Sequence, residues 1–310
     1  MSTLSQPLVV DRSSVAVLLK DYAELIKLRV TSLIVMTAWC GFYFGAAKSG
    51  VSSLSWSLFH ALLGIGLVAG GTAALNEVME HDVDALMRRT SIRPLPRKTM
   101  SIAHALLLGM AMTAGGILYL ALALNVLTGF LAFATSIVYL VAYTPLKQVS
   151  PICTLVGAFP GAMPGVLGWT AASGRLDWDA LVLFGIVFLW QFPHFFSIAW
   201  LYREDYAAGS IRMLPVVEED GRSTSRNILA YSLALIPVSL LPSLMGMSGK
   251  IYFVGALVMS VVLFWFGMRL AKAKLPATAA RSKPLARNLL QATVFYLPLL
   301  FVLMMLNAVS

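Results

Sequence analysis

The sequence predicts an all-α integral membrane protein, with nine transmembrane helices around a central cavity. Three observations lead there. First, 59% of the 310 residues are hydrophobic and only 12% are charged, about half the roughly 25% charge of a soluble domain. That excludes an ordinary soluble domain, a disordered chain and a coiled coil. Second, apolar runs close to the roughly 20 residues needed to span a bilayer recur nine times. Third, basic connections alternate along the chain with connections that hold almost no charge.

The chain reads as one domain over 1–310. Its first apolar run, Leu8–Val10, meets Asp11 and Arg12 at once, which is no signal peptide. Val15, Leu18, Leu19, Tyr22, Leu25 and Ile26 then recur at helical spacing among Lys20, Asp21, Glu24, Lys27 and Arg29. This predicts a surface-lying amphipathic helix within an N-terminal segment, 1–30. The spans follow at 31–47, 56–75, 102–124, 126–143, 152–172, 180–201, 228–247, 251–268 and 289–308. Asn125 alone separates the third and fourth, so a tight turn is expected there. Thr144–Pro151 reads as a short connection. The fifth span carries Pro160, Pro164 and four glycines. It reads as a broken helix walling a chamber, with close packing through small residues as the alternative.

Of 23 lysines and arginines, all but Lys48, Arg175 and Lys250 fall on one side of this scheme. An excess of basic residues marks the cytoplasmic side, so the N-terminus is expected in the cytoplasm and the C-terminus outside. The same excess accounts for the net charge of +9 without a nucleic-acid partner. Cys40 and Cys153 lie in apolar stretches and offer neither a disulfide framework nor metal-ligand spacing. Of the 14 acids, only Asp177 and Asp179 fall outside. Acids contribute little to orientation, so this one-sided clustering needs a second explanation.

The end of the second span supplies one. At 100° per residue, Asn76, Glu80 and Asp84 fall at about 0°, 40° and 80°, with Glu77 at about 100°. Carboxylates crowded on one face repel unless a cation sits among them. Mg²⁺ takes oxygen ligands and bridges carboxylates to substrate phosphates. Arg88, Arg89 and Arg93 follow, then Pro94 and Pro96 force an extended segment. Acids for a metal and arginines for phosphate oxygens make a diphosphate site. A solvated helix end with its acids paired to those arginines is the alternative.

The sixth span supplies a second constellation. Gln191, His194, Tyr202 and Asp205 can share a helix face, and Pro193 disturbs the backbone between them. His194 reads either as a neutral imidazole bonded to a neighbouring helix or as a contact to haem iron or substrate. His60 and His104 read as structural. The segment Asp205–Val217 is too apolar for a solvated linker and is expected to cover the mouth of the bundle.

Asn76-x3-Glu80-x3-Asp84 resembles the acidic motif of the UbiA-like intramembrane prenyltransferases. His81-Asp82-Val83-Asp84-Ala85-x-Met87-x-Arg89-Thr90-x2-Arg93-Pro94-Leu95 narrows the likeness. So do Tyr143-Thr144-x-Leu146-Lys147, Pro193-His194-Phe195 and Asp205-Tyr206…Met213-Leu214-Pro215-Val216. Together they are similar to the branch that farnesylates protohaem IX. The resemblance implies Mg²⁺ at Asn76, Glu80 and Asp84, with Asp205 as a further catalytic residue. It implies diphosphate held by Arg88, Arg93, Lys147 and Arg212. His194, Tyr139, Tyr143, Tyr202 and Phe195 would line the haem cavity and shield a cation-like allylic carbon. The substrates would be farnesyl diphosphate and haem B, the product haem O, and the setting the lipid bilayer of a bacterial plasma (inner) membrane. The active site would face the cytoplasm, and a haem A synthase or oxidase assembly factors would act downstream. The sequence departs from the family in two places: Glu80 stands where many relatives have Asp, and Asp205 alone represents a second Asp-x3-Asp motif. A related enzyme acting on an aromatic or quinone precursor is one alternative. A cation-coupled transporter is another, although its acids would lie nearer mid-membrane.

Overall fold

The structure, a computed structural model, describes residues 15–309. The lead-in with Leu8–Val10, Asp11 and Arg12 lies outside the described residues. The described chain is helical: α1 (Val15–Leu25), α2 (Leu28–Ser49), α3 (Trp56–Leu86), α4 (Ile102–Ala123), α5 (Val126–Ile137), α6 (Thr144–Val149), α7 (Cys153–Ser173), α8 (Trp178–Leu201), α9 (Arg203–Ala208), α10 (Leu214–Val217), α11 (Arg222–Leu244), α12 (Lys250–Lys272) and α13 (Lys283–Leu306).

Eight helical segments are long and apolar enough to cross a membrane. They are α2, α3, α4, α5 continued to Val149, α8, α11, α12 and α13 with its leading turn. The chain is an integral membrane protein. The remaining expected span, α7, has 21 residues, but its glycines and prolines dilute its apolarity. Exposed apolar side chains such as Leu122, Phe130, Val254 and Phe295 point outward.

Three local expectations are revised. α7 is one uninterrupted helix, although Pro160 and Pro164 lie inside it. Gln191 Nε2 on α8 donates to Ala158 O, 3.0 Å away, in the disturbed stretch. That bond ties α8 to α7 beside Pro160. The stretch expected as a connection, Thr144–Pro151, is helical through Val149, because the helix passes Ile137 in a wide π turn over Val138–Tyr143. Finally, the bundle is packed where a chamber wall was expected. A methyl group added at Gly168 would run into the backbone of Ala38 and Phe42, and one at Gly41 into the carbonyl of Gly165. The α2 and α7 backbones therefore touch, which small residues permit.

The tight turn after α4 forms as expected. Asn125 caps α5 by accepting from Thr128 N at 2.9 Å. Helices α2–α5 and α7 pack as one group, and α8 and α11–α13 as another, with α7 against α8 joining them. Ser239, Ser260 and Tyr296 link α11, α12 and α13 through hydroxyl contacts of 2.9 and 2.8 Å. At the end bearing the basic connections, α1 exposes Val15, Leu18 and Leu19 and buries Asp21 and Leu25. Arg97 Nη2 donates to Asp21 at 2.7 Å, tying α1 to the segment after α3.

Candidate active site

Because α3 runs unbroken from Trp56 to Leu86, the register read from the sequence holds through Asp84. Asn76 and Asp84 are buried, and the Glu80 side chain is 14% exposed. Each of the three meets a cation from a different part of the chain. Lys27 Nζ donates to Asn76 Oδ1 at 2.6 Å. Lys147 Nζ donates to both Glu80 oxygens, at 2.8 and 3.0 Å. Arg93 Nη1 donates to Asp84 Oδ2 at 2.5 Å. Lys27, Glu80, Asp84, Arg93 and Lys147 line a cavity of about 80 Å³ together with Arg89 and Tyr143. Glu77 faces away from it. Its Oε1 accepts from Leu95 N at 3.4 Å, and its other oxygen has no partner among the described residues.

The π turn positions much of this. It carries Tyr139 and Tyr143, whose ring centres are 5.2 Å apart, and Lys147 Nζ lies 4.6 Å from the Tyr143 ring centre. It also brings Thr144 to Asn76. Asn76 Nδ2 donates to Thr144 Oγ1 at 3.1 Å, and that hydroxyl donates to Tyr139 O at 2.9 Å. The amide is held at both ends, with its oxygen toward Lys27. π turns are frequent at functional sites. Thr144→Val is expected to lower turnover about fivefold, the worth of one net hydrogen bond, and Thr144→Ser to retain it. Equal initial rates for both variants would remove this role.

Lys27 is the residue that the sequence reading missed. It sits in the break between α1 and α2 at φ 48° and ψ 51°, a left-handed conformation that costs a non-glycine residue about 1–3 kcal/mol. Loss of solvent, followed by the charges of Arg93 and Lys147, lowers its pKa against the opposing pull of Glu80 and Asp84. Helical spacing could not place it, because the break falls within the very stretch whose periodicity was being read.

Arg89 takes the cavity position expected for Arg88. The helix ends at Leu86 and Met87 is extended, so the 100° step no longer applies. The Arg89 guanidinium lies 5.5 Å from the ring centres of both Tyr202 and Tyr206. Arg88, Tyr202 and Asp205 instead line a neighbouring cleft of about 540 Å³. Asp205 Oδ2 accepts from Arg89 N at 3.3 Å, so Asp205 touches the site through Arg89.

The sixth-span constellation does not share one face. Gln191 turns to α7. His194 Nδ1 pairs with Thr293 Oγ1 on α13 at 2.9 Å and stacks on Trp190 at 4.7 Å. Tyr202 lies beyond the helix end. Phe195 packs with Met87, Tyr206, Ile211 and Met213. His60 and His104 pair with Tyr119 and Tyr22, at 2.5 and 2.8 Å. Arg212 exposes its side chain, while its backbone N–H donates to Lys147 O at 2.7 Å. The segment after α8 covers the cavity as expected, with Tyr206, Ile211 and Met213 among its lining residues.

Residues 34–306 match the UbiA prenyltransferase family. The chain belongs to that family. It is 60% identical to a protoheme IX farnesyltransferase of Koribacter versatilis, over 99% of both chains. It is 45% identical to one from Solibacter usitatus, over 93% of this chain and 99% of the relative. Its fold is similar to that of digeranylgeranylglyceryl phosphate synthase, with a TM-score of 0.75 at 14% identity over 94% of this chain and 98% of the other. It is also similar to a UbiA homologue from Archaeoglobus fulgidus bound to GPP and Mg²⁺, with a TM-score of 0.62 at 16% identity over 92% and 99%.

For a UbiA-family site, the donor set suits Mg²⁺: two carboxylates and an amide oxygen on one helix face, all hard oxygen donors. Among the described residues, no three His, Cys, Asp or Glu side chains converge to hold an ion unaided. Mg²⁺ commonly completes its shell with water and substrate phosphate.

Proposed function

We propose that this enzyme transfers the farnesyl group of farnesyl diphosphate to a vinyl group of haem B, giving haem O and diphosphate. The observation that carries this reading is the 60% identity, over 99% of both chains, to a protoheme IX farnesyltransferase. The acid and cation cluster is consistent with it. Asn76, Glu80 and Asp84 would hold Mg²⁺, which supplies positive charge to the leaving diphosphate. Lys27, Arg89, Arg93 and Lys147 would bind the diphosphate oxygens by charge-assisted hydrogen bonds.

As the carbon–oxygen bond breaks, positive charge grows on the allylic carbon. Tyr143, with Tyr139 tilted against it, offers that charge an aromatic face. The vinyl carbon attacks, a new carbon–carbon bond forms, and water supplies a hydroxyl to the resulting cation while losing a proton. A cavity of about 80 Å³ lies well below the roughly 300–1,000 Å³ of ligand pockets. Tyr206, Ile211 and Met213 therefore have to move aside for the substrates. His194 acts as a structural residue between α8 and α13. The whole chain works as one domain of nine spans with α7 as the fifth. The N-terminus and the active site face the cytoplasm, and the C-terminus faces outward across a bacterial plasma membrane.

The test uses purified protein in detergent with haem B, farnesyl diphosphate and Mg²⁺, read by mass spectrometry. The expected product is haem B plus one farnesyl group and one hydroxyl, absent when EDTA is added. Prenylation of an added aromatic acid with no haem product would overturn the substrate. No prenylation of either by folded protein would overturn the activity.

A further inference from the structure

We infer that Lys27, Arg93 and Lys147 act as resident counter-ions that reserve the metal ligands until diphosphate arrives, so that metal and diphosphate bind together. This deepens the proposed function and rests on its metal–diphosphate part. Three independent contacts support it. Asn76 Oδ1, Glu80 and Asp84 are each held by one of these cations, at 2.6, 2.8 and 2.5 Å. The three cations come from the α1–α2 break, the segment after α3 and α6, and converge on one cavity.

Two positive charges a few ångströms apart repel strongly where water is scarce. A divalent ion entering alone would approach oxygens that ammonium and guanidinium groups already hold. The protein would also offer it few ligands, since no three acidic or imidazole side chains converge among the described residues, and water would have to fill the rest of its shell. Diphosphate changes both terms. Its oxygens complete the metal's shell, and its negative charge gives the displaced cations a new partner. Lys27 is the clearest of the three. Its backbone is left-handed, Val30 and Thr31 N–H groups bond its carbonyl at 2.8 and 3.0 Å, and its ammonium is aimed at an amide oxygen that carries no formal charge.

Binding of Mn²⁺ to the detergent-purified full chain, read by electron paramagnetic resonance with and without inorganic pyrophosphate, tests this. The wild type is expected to bind Mn²⁺ at least about tenfold more tightly with pyrophosphate present. Lys27→Met is expected to bind Mn²⁺ alone about tenfold more tightly than the wild type, yet to show a KM for farnesyl diphosphate raised about tenfold. Lys27→Arg keeps the charge and is expected to keep the wild-type order. A residue with a merely structural role would weaken both readouts together. Equal Mn²⁺ affinity in the wild type with and without pyrophosphate would overturn the inference. So would Mn²⁺ binding to Lys27→Met that is unchanged or weaker. The binding measurements need no haem, so they fail or succeed independently of the product assay.

Discussion

Asp84→Asn is expected to lower turnover by about 10²- to 10³-fold, the usual loss when one preorganised stabiliser of developing charge is removed. Asp84 sits at the end of the functional face of α3, with its side chain 2% exposed. Its backbone carbonyl accepts from Thr90 Oγ1 at 2.9 Å, which fixes the turn that leads to Arg93. Asparagine keeps the shape and an acceptor for Arg93 but removes the charge. Alanine would leave the Arg93 guanidinium without a partner, and breaking a buried pair in that way costs about 3–5 kcal/mol. Asn therefore separates chemistry from folding better than Ala. The measurement is initial rate in the product assay, paired with the elution profile and thermal midpoint in detergent. A variant that turns over at the wild-type rate would remove Asp84 from the reaction.

A second large effect, on stability, is expected far from the chemistry. Gly168→Ala places a methyl group against the Ala38 carbonyl and the Phe42 backbone. No rotamer change relieves a backbone contact, so α2 and α7 have to separate. Overpacking typically costs 1–3 kcal/mol; about 3 kcal/mol or more is expected here, because both partners are main chain. Gly115 on α4 is the control, since nothing lies within 4 Å of an added Cβ there. Gly115→Ala should be neutral or stabilise by up to about 1 kcal/mol, from helix propensity alone. Thermal midpoints of the two variants in the same detergent check this. Equal midpoints would show that the α2–α7 interface yields more readily than its geometry implies.

The sequence announced the spans well because each is long and apolar, and because Asn125 marks the turn between two of them chemically. It announced the face of Asn76, Glu80 and Asp84 because α3 stays helical through it. It failed where the chain leaves a regular helix. Lys27 lies in a left-handed break, and Arg89 follows an extended Met87. Neither conformation has a spacing to read. Thr144 was visible as part of a motif, but its bond to Asn76 depends on a π turn that shifts the register by a fraction of a turn. His194 and Gln191 looked like companions on one face, yet α8 is wrapped by α7, α11 and α13. Its polar groups bond outward to different neighbours. The acids and the arginines were read as alternatives, metal site or ion pairs. In the structure the same oxygens make the ion pairs, and in the proposed function they would exchange those cations for a metal when diphosphate binds.

The most direct test of the site is a structure of the full chain with Mg²⁺ and a non-hydrolysable farnesyl thiodiphosphate. The diphosphate is expected between the α3 face and the Lys27, Arg93 and Lys147 side chains, with Asn76, Glu80 and Asp84 turned to the metal. Diphosphate seated instead in the neighbouring cleft beside Arg88 and Asp205, with the three contacts of Lys27, Arg93 and Lys147 to the α3 face intact, would contradict the account.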